Sequence, residues 1–182
     1  MKKILFNDKF GLTQAVLEGR KTQTRRIIRG VYSVSCSGID MLQTHKPAYK
    51  LGEVIAIAQS YKDAGIEDVT DKDGFLYHAF TIAGWNNKMF VRPDLMPHQI
   101  HITNVRIERL QDISDEDCLK EGLEWDGIAY KYNIGYSKET GNKTFLGKTP
   151  REAFAHLIDK VSGKGTWDSN PYVWVYDFEL IK

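Results

Sequence analysis

The run Gly19-Arg20-Lys21-Thr22-Gln23-Thr24-Arg25-Arg26 packs four cations and two hydroxyls into eight residues. Side chains of that kind, so closely spaced, are suited to an anion or a polar ligand. Gly19 can adopt a positive φ and end a preceding helix, so the polar residues behind it are expected at a bend where backbone and side chains converge. Arg20, Thr22, Arg25 and Arg26 are therefore candidate ligand-binding residues. A solvated surface run is the alternative reading of the same charges.

The elements around this run follow from periodicity. Lys3–Phe6 reads as a first strand. Phe10–Leu17 sets Leu12, Ala15 and Val16 at helical spacing before the Gly19 stop. Val54–Ala58 is continuously apolar, which predicts a central strand. Phe75–Ile82 follows Asp73-Gly74, a hairpin signal. From Ile100 to Leu110 the chain reads as a long strand with one mostly polar face, carrying Asn104, Arg106 and Glu108. Ser114-Asp115-Glu116-Asp117 resembles a capping box for a helix ending at Gly122. Pro150 opens another helix with Phe154, Leu157, Ile158 and Val161 on its core face. Tyr172–Ile181 is the last strand. Strands spread along the chain with helices set irregularly between them predict an α+β fold or a small, partly open β-barrel.

The 182 residues fit one domain of ordinary composition. Net charge is only +1, which disfavours a protein that grips nucleic acid by bulk basicity. The average hides an asymmetry: residues 1–50 hold ten Lys or Arg against three acids, leaving fifteen against twenty-one for the remainder. No apolar run is long enough for a transmembrane helix, and the N-terminus turns polar too soon for a signal peptide, so a cytoplasmic protein with no membrane partner is expected. Cys36 and Cys118 cannot form a disulfide framework and read as small hydrophobes.

Several familiar sites fail on spacing. Aligning Gly74 with the invariant glycine of a calcium loop puts Val69 and Phe80 at ligand positions. His98 and His101 would lie on opposite faces of a strand. No dinucleotide fingerprint, Walker loop or nucleophile elbow is present. Neither a metal nor a cofactor is expected.

The GRKTQTRR segment at 19–26, then Tyr49-Lys50-Leu51-Gly52-Glu53-Val54, then Val105–Ile113 leading to Glu121-Gly122, and finally Trp167–Val175 occur in an order that resembles the ASCH domain, especially its phage and prophage-type members. The resemblance spans nearly the whole chain. It implies one PUA-like β-barrel domain with a ligand cleft, of a kind associated with recognition of RNA or a modified nucleoside. Some members of the group hydrolyse the acetyl amide of N4-acetylcytidine. Matched by motif, their catalytic residues correspond to Lys21, Thr24 and Glu121, and Arg26 matches the motif's arginine. This sequence departs from those compact hydrolases in extra material near 30–48 and 126–148, in Arg25 where an apolar residue is usual, and in Ala56–Tyr61, where a glutamate and a tryptophan usually follow the strand.

The implied chemistry is coherent. A threonine hydroxyl needs a neighbouring base, and a lysine is one only if burial or nearby cations lower its pKa. Glu121 would orient the lysine or pass a proton to a leaving amine. Lys21 and Thr24 would share one face only at a bend, not in a regular strand. Three readings stay open: a module binding RNA or a modified nucleoside, a metal-independent amidohydrolase, and a phage-encoded protein-interaction module with partners unknown. Against all of them stands an ordinary Lys21–Glu121 ion pair. Tyr172, Trp167 and Trp174 read either as core or as a stacking platform.

Overall fold

The structure is a computed structural model that describes residues 1–29, 45–137 and 141–181. It is a mixed α+β fold with several sheets, and among the described residues none of them closes into a barrel. The chain gathers into two compact units. One comprises Met1–Phe6, Val54–His101 and Leu180–Lys182; the other comprises Asn7–Glu53 and Ile102–Glu179.

In the first unit β1 (Lys3–Ile4) runs parallel to β3 (Val54–Ile57), which pairs antiparallel with the start of β6 (Gln99–Arg109). Ile4, Ile55, Ile57 and Ile100 are fully buried, as the unbroken apolar run of β3 requires of a strand covered on both faces. A hairpin joins β4 (Asp68–Thr70) to β5 (Leu76–His78). Its turn forms because Asp71 Oδ1 accepts the N–H groups of Asp73 and Phe75. The strand expected over Phe75–Ile82 is thus three residues long, because the chain winds into a 3₁₀ turn at Ala79–Thr81.

The second unit begins with α1 (Leu12–Leu17), which buries Leu12, Ala15 and Val16 as its spacing predicts. Gly19 takes φ +75°, and the N–H groups of Arg20 and Lys21 both donate to the Ala15 carbonyl at 2.9 Å. The chain then straightens into β2 (Gln23–Ile27), antiparallel to β10 (Tyr172–Ile181), which lies between β2 and β6 in strand order. Next comes α2 (Asp115–Lys120), whose N-cap Ser114 accepts the Asp117 N–H. A three-stranded antiparallel sheet of β7 (Glu124–Trp125), β8 (Tyr130–Ser137) and β9 (Gly141–Gly147) occupies much of the 126–148 segment. Residues 30–44 of the other extra segment lie outside the described residues, as does Cys36. The chain continues through α3 (Pro150–Ser162) and the short α4 (Thr166–Ser169). Helix α3 buries Phe154, Leu157 and Ile158, but Val161 is exposed: it falls in the last turn, where the helix is leaving its packing surface. Trp167 lies in α4, ahead of the closing strand.

A buried ionic cluster as candidate functional site

Lys21 sits in the two-residue bend before β2 and is almost completely buried. Its ammonium donates to the Gln23 carbonyl at 2.8 Å, the Glu121 carbonyl at 2.9 Å and Glu121 Oε2 at 2.5 Å. Glu121 is the C-cap of α2, and its side chain is 6% exposed against 2% for Lys21. A carboxylate there is unfavourable at the negative end of a helix dipole. The ammonium offsets that cost and also satisfies a helix-end carbonyl. Gly122 follows with φ +101°, and a Cβ on it would lie 3.3 Å from Ala15 Cβ and 3.4 Å from Lys21 Cβ. Only glycine lets the chain turn so close to the lysine stem.

Within β2, Gln23 and Arg25 share one face and Thr24 the other. Arg25, its side chain 1% exposed, spans three carboxylates: Nη1 reaches Glu121 Oε1 at 3.0 Å, Nη2 reaches Glu108 at 2.6 Å and Asp117 at 3.3 Å. Its Nη1 also donates to Gln23 Oε1, whose amide nitrogen donates to Asp177. Arg106 extends the cluster, bridging Asp117 at 2.8 Å and Asp177 at 2.5 Å, while Asn104 donates to Asp177. The polar face read on β6 is therefore not a simple solvent face. Asn104, Arg106 and Glu108 meet the charges of β2, α2 and β10.

Burial pushes the Lys21 ammonium below its ordinary pKa; Glu121 pulls it back up, and the positive charges of Arg26 and Arg25 push it down again. For Arg25 burial works downward, but Glu121 and Glu108 outweigh it and raise the guanidinium. At Asp117 burial works upward and is overcome by hydrogen bonds from Lys120 and Gln23 and by the charges of Lys120 and Arg25, so its pKa is lowered. Cys118, fully buried on α2, has its thiol pushed up to about 12 by burial, which keeps it unreactive.

The structure thus brings Lys21 and Glu121 together and adds Arg25 to the pair. Thr24 is buried in register with Tyr176 of β10, and among the described residues its side chain makes no hydrogen bond to Lys21 or Glu121. Arg20 is at the surface, bridging Glu18 at 2.5 Å and Glu124 at 2.9 Å. Thr22 holds the bend by its backbone, its N–H donating to the Lys120 carbonyl and its carbonyl accepting from Phe178. Arg26 is half-buried opposite Trp174 on the Thr24 face. Sequence reading missed Gln23, Asp117 and Asp177. The Gln-x-Arg alternation of β2 carried a signal for Gln23, but nothing local marks the two aspartates. No group of three or more metal-ligating side chains occurs among the described residues. Nor is any helix among them long and apolar enough to cross a membrane.

No family model matches this chain, and no curated protein matches it. Among solved structures it is similar to protein EF3133 from Enterococcus faecalis V583, of the DUF984 family, at 15% identity and a TM-score of 0.42, over 100% of this chain and 77% of that one.

Proposed function

We propose that the Lys21–Glu121 region recognises a modified nucleoside, free or within RNA, in a fold related to the PUA-like ASCH domains. The observation behind this reading is the buried ionic cluster itself. Taking Lys21, Arg25 and Glu121 out of water is costly, and a few hydrophobic side chains would stabilise a fold at least as well. Clusters of charges with displaced pKa values are characteristic of working sites. Because Arg20 and Arg25 already bridge carboxylates, the site favours a nucleoside-sized ligand over a long polyanion. Isothermal titration with N4-acetylcytidine and with a short RNA tests this. Saturable nucleoside binding is expected, with RNA affinity only weakly dependent on salt. A steep salt slope would mark phosphate gripping. Silence with both ligands would remove the reading and leave protein interaction.

A second reading, amide hydrolysis, is favoured by one specific feature: the lowered pKa of Lys21 beside Glu121. Burial that lowers the Lys21 pKa eases loss of its proton, and the resulting amine can take the proton of an attacking water as its oxygen bonds to the acyl carbon. Glu121 relays a proton to the departing amine as the C–N bond breaks, giving the free amine and the carboxylic acid. The resemblance assigns the attack to Thr24. In the arrangement described here, Thr24 serves that role only if substrate draws its hydroxyl to Lys21. Chromatography of N4-acetylcytidine incubated with the protein tests hydrolysis, with Lys21→Ala as the inactive control.

A further inference from the structure

The two segments that bring Lys21 to Glu121 also bring their chain neighbours Arg20 and Lys120 to the rim of an open cleft of ≈ 540 Å³, lined by Arg20, Leu119, Lys120, Leu123, Glu124 and Trp125. That volume lies within the range of roughly 300–1,000 Å³ that holds small ligands. Leu123 is buried and forms an apolar floor, whereas Trp125 is 54% exposed. An indole left that open on a two-residue strand is not there for core packing. Across the hairpin Trp125 pairs in register with Tyr130, the two ring centroids 4.7 Å apart. The turn joining them is held by Asp126 Oδ1, which accepts the N–H groups of Ile128 and Ala129 at 3.0 Å each. The backbone that carries the indole is thus held in place.

The charges of the cleft select the occupant. Arg20 already bridges Glu124 and Glu18, and Lys120 lies 2.9 Å from Asp117. A phosphate would meet the Glu124 carboxylate, which Arg20 and Lys131 already share at 2.9 and 4.0 Å. A neutral ligand instead finds donors from Arg20 and Lys120 and an acceptor in Glu124, alongside a π-face. We propose that this cleft is a nucleoside subsite, in which a base stacks on Trp125, its polar edge meets Arg20 or Lys120, and a ribose hydroxyl donates to Glu124. The assignment rests on the nucleoside reading of the neighbouring cluster.

The test follows ligand binding by protein fluorescence and, independently, by calorimetry, in wild type, Trp125→Ala and Trp125→Phe, with cytidine, N4-acetylcytidine, cytidine monophosphate and inorganic phosphate as probes. Trp125 is exposed, so both variants should fold, which circular dichroism confirms. Loss of one stacked base, about 1–3 kcal/mol, corresponds to a weakening of roughly 5- to 150-fold. That loss is expected for both nucleosides in Trp125→Ala, with most of the affinity restored in Trp125→Phe. Wild-type binding of the nucleosides with unchanged affinity in Trp125→Ala overturns the subsite while the nucleoside reading stands. No saturable binding of any nucleoside to wild type removes that reading and the subsite with it. Inorganic phosphate binding, or the monophosphate binding more than tenfold tighter than cytidine, overturns the neutral-ligand assignment.

Discussion

The ammonium of Lys21 grips Glu121 at both ends of that residue, its carboxylate at 2.5 Å and its backbone carbonyl at 2.9 Å, although one hundred positions separate the two in sequence. One side chain therefore ties the bend before β2 to the end of α2. Removing it leaves a buried carboxylate facing one cation fewer and an open helix carbonyl. Lys21→Met, which keeps the aliphatic stem, is expected to lower stability by about 3–5 kcal/mol, as for other broken buried pairs. Glu121→Gln should also destabilise, since one of the two cations then faces an amide N–H group in place of a carboxylate oxygen. In urea denaturation the double variant should fall short of the sum of the two by about 0.5–3 kcal/mol, the range for directly coupled residues. Additive losses would show that the pair is not coupled.

Gly122 is the residue whose backbone allows that grip. Alanine there would combine a positive φ with a Cβ pressed between Ala15 and Lys21. Gly122→Ala should lose about 1–3 kcal/mol of stability from backbone strain alone. Because the new methyl bears on Lys21 Cβ and Cδ, any ligand signal that depends on Lys21 should weaken too. A thermal melt within 1 °C of wild type would show that the turn tolerates a side chain.

Asp117 makes the cluster sensitive to acid. Its pKa is lowered in the folded protein, so at neutral pH the folded state gains from its ionisation. That gain is complete above the unfolded value, near 3.9, and fades as the pH falls through the lower folded value. Asp117→Asn should reduce stability at pH 7 and flatten the decline below about pH 4. If wild type and variant lose stability in parallel through that range, Asp117 is not the responsible group.

How far the site was legible depended on whether its information was local. The Gly19 stop, the Ser114 cap and the last strand were all readable, because a helix end, a cap and an alternating strand are each fixed by a few neighbouring residues. Lys21 and Glu121 were reachable through resemblance alone. Neither residue type nor spacing says that α2 ends against the bend before β2. The polar face of β6 was visible as a pattern, but its partners were not, since Arg25, Asp117 and Asp177 come from three other elements. The pattern of β7, β8 and β9 was hidden for another reason. Their run mixes glycine, lysine and asparagine with aromatics and lacks the clean alternation of a half-buried sheet.

Thr24 offers the sharpest division between the two chemical readings. Its neighbours in β2, Gln23 and Arg25, point into the ionic cluster, which directs Thr24 to the face shared with Tyr176. A base removed from the reaction typically costs 10²–10⁴-fold, so Lys21→Ala should lose at least 10²-fold of any amide hydrolysis. Thr24→Val keeps shape and β propensity and removes only the hydroxyl. If water is the attacking oxygen, as the face assignment favours, Thr24→Val should retain more than a tenth of the wild-type rate. Loss of turnover in Thr24→Val, with recovery in Thr24→Ser, would instead make the hydroxyl the nucleophile. Substrate binding would then have to turn Thr24 toward Lys21, a movement visible as a change in the methyl resonance of Thr24 on adding N4-acetylcytidine.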